Sequence, residues 1–237
     1  MSDAQWKLLV EKELKGKSFD DFLVWNSLDG FSIEAWQSAL PSPLPNLAPL
    51  NEAWKIIEPI YESDAQKANA TALSALNHGA EGIWFKKGFL GAAANVASHQ
   101  IDQGIAPVFI ENGNVTDVYR SLLKTGSEEE ISVSDTLLLD GQRIRERGGS
   151  TIDELVVLIS QGLEASRKFG FDSNLLFKTA AGSGFLTEVA KIRAMRWLWS
   201  QILVHEKQSK QPYPTIIVVN LSNGYTQNDE HTNILRA

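Results

Sequence analysis

Between residues 54 and 219 the chain alternates short, continuous apolar runs with longer amphipathic segments, and this alternation restricts the fold more than any other feature. The apolar runs are Trp54–Ile60, Gly82–Phe85, Ala106–Ile110, Thr136–Leu139, Leu175–Phe177 and Thr215–Val219. They lack the polar/apolar alternation of a strand with one wet face, so each predicts a strand covered on both faces. Between them, Asp64 can cap a helix carrying Ala68, Ala72 and Leu76 and closed by Gly79. Residues 89–103 suit a helix, Val115–Leu123 a short one, and 126–134 a polar, acidic loop. Thr151-Ile-Asp-Glu154 has the capping-box pattern and opens a helix with Leu155, Leu158, Ile159, Gly162 and Leu163 on one face. Residues 185–205 form a long helix with Phe185, Val189, Ile192, Trp199 and Leu203 along a stripe. Six strand–helix units of roughly 30 residues imply a parallel sheet covered by helices, either doubly wound or most of a (β/α)8 barrel. Periodicity alone does not choose between the two.

The stretch before this region is built differently. Trp6, Leu9, Val10 and Leu14 share one face of a helix over 5–16, stopped at Gly16. Phe22–Asn26 and Phe31–Ile33 flank Asp29-Gly30, a hairpin signal because glycine tolerates positive φ. Leu40-Pro-Ser-Pro-Leu-Pro45, with Pro49 behind it, reads as an extended linker. The expected organisation is therefore an arm and linker over 1–49 and an α/β domain over 50–237. The arm carries Trp6, Trp25 and Trp36 but is too small for a core of its own, so these rings must pack on the main domain or on a partner.

Composition excludes several classes of function. The 237 residues carry a formal net charge of −7 with no basic block, which argues against nucleic acid. Cysteine is absent, so disulfides, thiolate metal sites and a cysteine nucleophile are out. No run reaches the ~18 apolar residues of a membrane span, and residues 1–20 hold no apolar signal core, so a cytoplasmic location is expected. The four histidines at 78, 99, 205 and 231 show no i, i+4 pair of the zinc-binding kind. His78, before Gly79, reads as a helix-end residue. Polar groups expected at strand C-terminal ends are Lys86-Lys87, Glu111-Asn112, Asp140 and Asn220. Arg143, Glu146 and Arg147 follow one such end and read as a solvated loop. Lys191, Arg193 and Arg196 on the long helix are expected to pair with local acids such as Glu188.

Four stretches, taken in order, resemble the methylmalonyl-CoA mutase family and cover nearly the whole chain. Trp6-Lys…Leu14-Lys-Gly-Lys17, Phe22…Trp25 and Asp29-Gly30 resemble its N-terminal arm. Trp54-Lys-Ile-Ile-Glu and Ala68–Trp84 resemble the first barrel unit of its small subunit. Leu139-Asp-Gly…Arg147-Gly-Gly-Ser-Thr…Glu154-Leu155 is similar to a strand and the D-G-x-x-x-x-x-A-G-A-x-x-x-x-E-L pattern after it. Phe185-Leu-Thr-Glu-Val-Ala-Lys-Ile-Arg-Ala-Met-Arg-Trp-Leu-Trp199 resembles F-x-x-I-A-K-L-R-A-A-R-x-L-W almost residue for residue. The segment Ile217–Ala237 is similar to H-x-Q-T-S-G-W-S-L-T-x-x-D-P-x-x-N-x-x-R, with Thr226, Asp229, Asn233 and Arg236 in place.

The resemblance implies a (β/α)8 TIM-type barrel with an N-terminal helix-hairpin arm. The stretch 50–237 is shorter than the ~250 residues such a barrel typically takes, so the barrel is expected to be incomplete at its C-terminal end. It also implies the catalytic or the supporting chain of a two-chain enzyme, and three departures point to the supporting one. Counted without gaps, Ile217 stands at the family's catalytic histidine, and no catalytic residue remains. The Pro-, Arg- and aromatic-rich segment that threads CoA is replaced by an ordinary strand and helix, Trp54–Leu76. The cobalamin pattern D-x-H-x-x-G begins at Asp229-Glu-His231 but meets Ile234 where glycine belongs. The expected protein is thus the small, non-catalytic subunit in a heterodimer with a catalytic large subunit. It would bind no cofactor itself, with adenosylcobalamin in the holoenzyme and CoA thioester binding by this chain in question. Two alternatives stay open: a self-sufficient cobalamin-dependent acyl-CoA mutase, and an unrelated TIM-barrel enzyme or binding module for a small acidic ligand near the lysines.

Overall fold

The computed structural model describes residues 3–27, 29–36, 54–112, 115–118, 136–170, 175–207 and 216–221. The proline-rich linker, the loop at 126–134 and the positions Thr226, Asp229, His231, Asn233, Ile234 and Arg236 lie outside the described residues.

The arm comprises α1 (Asp3–Glu13), α2 (Phe19–Leu23) and a hairpin of β1 (Val24–Asn26) and β2 (Ser32–Glu34). Gly30, at φ +83°, gives the turn the left-handed residue it needs. Trp6 stacks on Trp36 at 5.6 Å and meets Phe19 edge-on at 5.9 Å, so these rings meet within the arm itself, with Phe19 buried and Trp36 still exposed. Trp25, Phe31 and Ile33 stay exposed.

The main domain runs β3 (Ile57–Ile60), α3 (Ala65–Asn77), β4 (Gly82–Phe85), α4 (Ala92–Ala97), β5 (Val108–Asn112), β6 (Val115–Val118), β7 (Thr136–Asp140), α5 (Gln142–Glu146), α6 (Thr151–Phe169), β8 (Leu175–Ala181), α7 (Phe185–Lys207) and β9 (Ile216–Leu221). All six expected strands form, and the α/β class holds. The seven strands lie in chain order, β3-β4-β5-β6-β7-β8-β9. No strand order reverses, which excludes the doubly wound arrangement among the described residues. Nor do the described residues close a barrel, since β3 and β9 are sheet edges. One element differs from expectation: Val115–Val118 is not helical but a strand, antiparallel to both neighbours, with Asn112 opposite Val115. The Asn112-Gly113 dipeptide is a hairpin signal, and Val115, Thr116 and Val118 are β-branched.

The helices cover one face of the sheet. Ile83, Phe85, Val108 and Ile110 pack under α3 and α4 with Ala68, Ala72, Ala94 and Ala97. Leu139 and Phe177 pack under α6 and α7 with Leu158, Met195, Trp199 and Leu203. The strand positions in between point the other way and form a third cluster of Trp84, Phe109 and Leu176, joined by Ile57, Leu138 and Val218. Strands β5 and β8 are three places apart, roughly 14 Å in a flat sheet. A single cluster linking them means that the sheet curls around this face. Trp84 and Phe109 stack there at 5.2 Å.

Candidate functional site

The parallel strands all deliver their C-terminal ends to one edge, and the side chains that alternate onto the concave face become polar there. Beyond Trp84 comes Lys86, which forms an ion pair with Glu111 and sits over the Trp84 ring at 4.3 Å. Beyond Leu138 comes Asp140, and beyond Leu176 comes Lys178; the two are register partners and pair at 3.1 Å. The Asp140 carboxylate also accepts the Gln142 backbone N–H at 3.1 Å, which fixes the entry into α5. Beyond Val218 comes Asn220, whose amide donates to Gln142 Oε1 at 3.0 Å. The expected edge residues Lys86, Glu111, Asp140 and Asn220 are thus brought onto one rim, with Lys178 added. The indole N–H of Trp84 is buried on the same face with no hydrogen-bond partner among the described residues.

The Arg143, Glu146 and Arg147 stretch is a short helix rather than a loop. Arg143 is largely exposed and 3.6 Å from Asp140, Glu146 accepts from Gln142 Nε2 at 2.6 Å, and Arg147 ends the helix. His78 does cap α3 at its C-terminal end, His99 follows α4, and His205 lies in the last turn of α7. Helices return antiparallel to the strands they follow, so these three imidazoles lie towards the opposite edge of the sheet.

A second cluster lies under the helices. Residue Glu154 is not the capping acid. Ser150 is the N-cap, exchanging hydrogen bonds with Asp153, and the box sits one residue earlier than expected. That shift turns Glu154 inward, fully buried one turn ahead of Leu158. Its Oε1 accepts from Thr179 Oγ1 and from the Ala180 N–H, both at 2.8 Å, and its Oε2 accepts from Lys191 at 2.8 Å. The Lys191 ammonium also donates to the Ala180 carbonyl and lies 2.5 Å from Glu188, the acid expected to pair with it. Strand order explains the arrangement. Strand β7 ends at Asp140, and Gly141 donates to the Lys178 carbonyl as the chain turns into α5. The next backbone groups on that side of β8 are those of Ala180, and with no strand left to pair them the buried ion pair takes both. The sequence signal for this was the i, i+4 series Glu154, Leu158, Gly162, which puts the acid on the apolar stripe.

Ile217 lies opposite Phe177 in the sheet and packs on the helix-facing cluster. A side chain there points away from the rim. The β9 positions that face the concave side are Val218 and Asn220, and neither can take up or release a proton near neutral pH. Installing an imidazole by Ile217→His is expected to cost about 1–3 kcal/mol by burying a polar ring among apolar side chains. A lowered urea midpoint, with no gain of activity, checks this. An unchanged midpoint would contradict the placement.

A curled, mostly parallel sheet with helices on one face and a charged rim at the strand C-terminal ends defines an α/β protein. Residues 116–237 match the methylmalonyl-CoA mutase family. The human mitochondrial methylmalonyl-CoA mutase is 23% identical over 336 aligned positions, covering 98% of this chain and 44% of the relative. The mouse mitochondrial enzyme gives the same values, and the Cereibacter sphaeroides methylmalonyl-CoA mutase is 23% identical over 337 positions, 98% of this chain and 46% of the relative. The chain belongs to the methylmalonyl-CoA mutase family. It spans less than half the length of these curated relatives. The aligned length also exceeds the chain's own 237 residues, so the relatives carry stretches within the matched span that this chain lacks.

Proposed function

We propose that this chain is the small, non-catalytic subunit of a methylmalonyl-CoA mutase, or a portion of it. Its curled sheet would be the section of a TIM-type barrel that this chain contributes. The holoenzyme would interconvert methylmalonyl-CoA and succinyl-CoA, and the chain would support a catalytic large subunit in a heterodimer. The observation that carries this reading is the composition of the rim. Strand β9 reads Ile-Ile-Val-Val-Asn-Leu, so no shift of register within it supplies an imidazole. The rim's cations are held by its own acids, Lys86 by Glu111 and Lys178 by Asp140. Among the described residues, no nucleophile–base pair occurs in the side chains that face it.

Adenosylcobalamin would supply the radical chemistry in the holoenzyme. The described residues do not fit it: the three described histidines sit at helix C-terminal ends, far from the rim where a cobalt ligand would be needed. No step is assigned to it on this chain. The exposed Trp25, Phe31 and Ile33 of the arm form the face that we assign to the large subunit. Mixing the chain with that subunit is expected to give a stoichiometric complex on size-exclusion chromatography. Separate elution at micromolar concentration would count against the supporting role.

One observation favours a second reading, a mutase domain active in its own right: the curated relatives that align over 98% of the chain are themselves mutases. Under that reading, turnover would appear when a cobalamin-binding domain is added without any large subunit.

A further inference from the structure

The tip of the arm hairpin reaches across to α6. The Asp29 backbone N–H and the Ser27 hydroxyl hold the turn, the hydroxyl donating to Asp29 Oδ2 at 3.1 Å. The other carboxylate oxygen, Oδ1, accepts the backbone N–H of Ile152 at 2.9 Å, 123 residues further along the chain. In the first turn of α6, Ser150 takes the Asp153 N–H at 3.1 Å, and Asp153 takes the Ser150 N–H at 2.9 Å. This reciprocal box leaves the Ile152 donor, one of the orphan N–H groups of a helix start, and the arm's aspartate fills it. The negative charge also suits the positive end of the helix dipole.

The contact does not end there. Asp29 is attracted by Arg145 on α5. Arg145 donates to the Gly149 carbonyl at 3.0 Å and lies 3.7 Å from Glu188 on α7. Glu188 pairs with Lys191, which with Glu154 takes both backbone groups of Ala180 at the end of β8. Charges therefore alternate from the arm to the strand end: Asp29, Arg145, Glu188, Lys191, Glu154. Two residues before Ala180 on the same strand lies Lys178 of the rim.

We propose that the arm is a latch. Asp29 closes the first turn of α6 at Ile152, two residues before Glu154, and so keeps the Glu154–Lys191 pair seated on β8; undocking the arm then loosens the strand end carrying Lys178. This stands independently of the function proposed above.

Burial raises the pKa of Asp29, but hydrogen bonds from Ser150, Ile152 and Ser27 and the charge of Arg145 outweigh it and hold the carboxyl below the usual 3.8. The charged group that acts on it among the described residues is Arg145 on α5. A depressed folded pKa means that the latch contributes fully above the unfolded value and is lost only as pH falls through the lower folded one. At neutral pH it is closed, and what opens it is a competitor for the arm rather than mild acid.

The test is hydrogen exchange on the full chain, comparing wild type with Asp29→Ala and Asp29→Asn. Loss of a cap of this kind corresponds to roughly a tenfold change in local opening. Asp29→Ala is expected to raise exchange by that factor in 150–156 and in 178–184, with 82–85 and 108–112 unchanged. Asp29→Asn keeps an acceptor oxygen without the charge. It should give a smaller rise in the same two segments, about threefold, and it carries the test if the alanine variant does not fold. Unaltered exchange at 178–184, or a uniform rise that includes 82–85, overturns the proposal.

Discussion

Replacing Lys191 with methionine is expected to destabilise the protein by about 3–5 kcal/mol, the cost of leaving a buried charge without its partner. Both side chains of the Glu154–Lys191 pair are almost completely shielded from water. The lysine donates to Glu154 and to the Ala180 carbonyl and lies 2.5 Å from the Glu188 carboxylate. Methionine fills much the same volume but donates nothing. Glu154 would lose the cation that faces it in an apolar layer, and the Ala180 carbonyl would lose its partner where β7 has already ended. The companion experiment is the double variant Glu154→Gln/Lys191→Met. Glutamine keeps an oxygen for Thr179 and the Ala180 N–H while removing the charge, so the double variant should be more stable than the single one. Urea unfolding reads both. A single-variant loss below about 1 kcal/mol, the range of exposed ion pairs, would show that the pair is solvated rather than buried.

Phe177→Ala is expected to cost about 3–5 kcal/mol as well, for a different reason. Phe177 is the middle residue of the Leu139–Phe177–Ile217 row, directly beneath the crossing of α6 and α7. It meets Trp199 edge-on at 5.0 Å, and a Cβ on Gly162 would come within 3.1 Å of its ring. The two helices thus close on this ring from both sides, and neither can settle into the space a truncation leaves. For a domain of this size the loss should lower the melting temperature by on the order of 10 °C, measured by circular dichroism. A shift of only a degree or two would mean that the layer collapses into the cavity and that the packing is looser than described.

These two effects also show what could and could not be read from the sequence. The six apolar runs became the six parallel strands because a strand covered on both faces has nowhere to put polar residues. The Asp64 and His78 ends of α3 followed from capping chemistry. Strand β6 is hard to read because the apolar spacing of Val115–Leu123 also suits a helical turn, while the Asn112-Gly113 hairpin signal beside it favours a strand. The start of α6 is ambiguous in sequence because Ser150 and Thr151 are both good N-caps, each with an acid three residues on. Burial of the second acid decided between them, and burial depends on Lys191, which is distant in sequence. Ile217 was placed on β9, but the face it occupies depends on the register with Phe177. The rim was largely legible, since charged residues after apolar runs mark strand ends. Its internal pairing was not, because Lys86 to Glu111 and Lys178 to Asp140 cross between strands. Asp29 was recognised as a turn residue, and its second role at α6 could not be seen without the fold.

Among the described residues the rim offers no group able to complete the mutase reaction, and we propose that the chain is therefore not catalytic on its own. Succinyl-CoA formation from methylmalonyl-CoA, followed by chromatography with the purified chain and adenosylcobalamin, tests it most directly. The chain alone, and with a separate cobalamin-binding domain, should form none above background, while a large subunit should turn over and be stabilised by adding this chain. Succinyl-CoA produced without the large subunit would contradict the account.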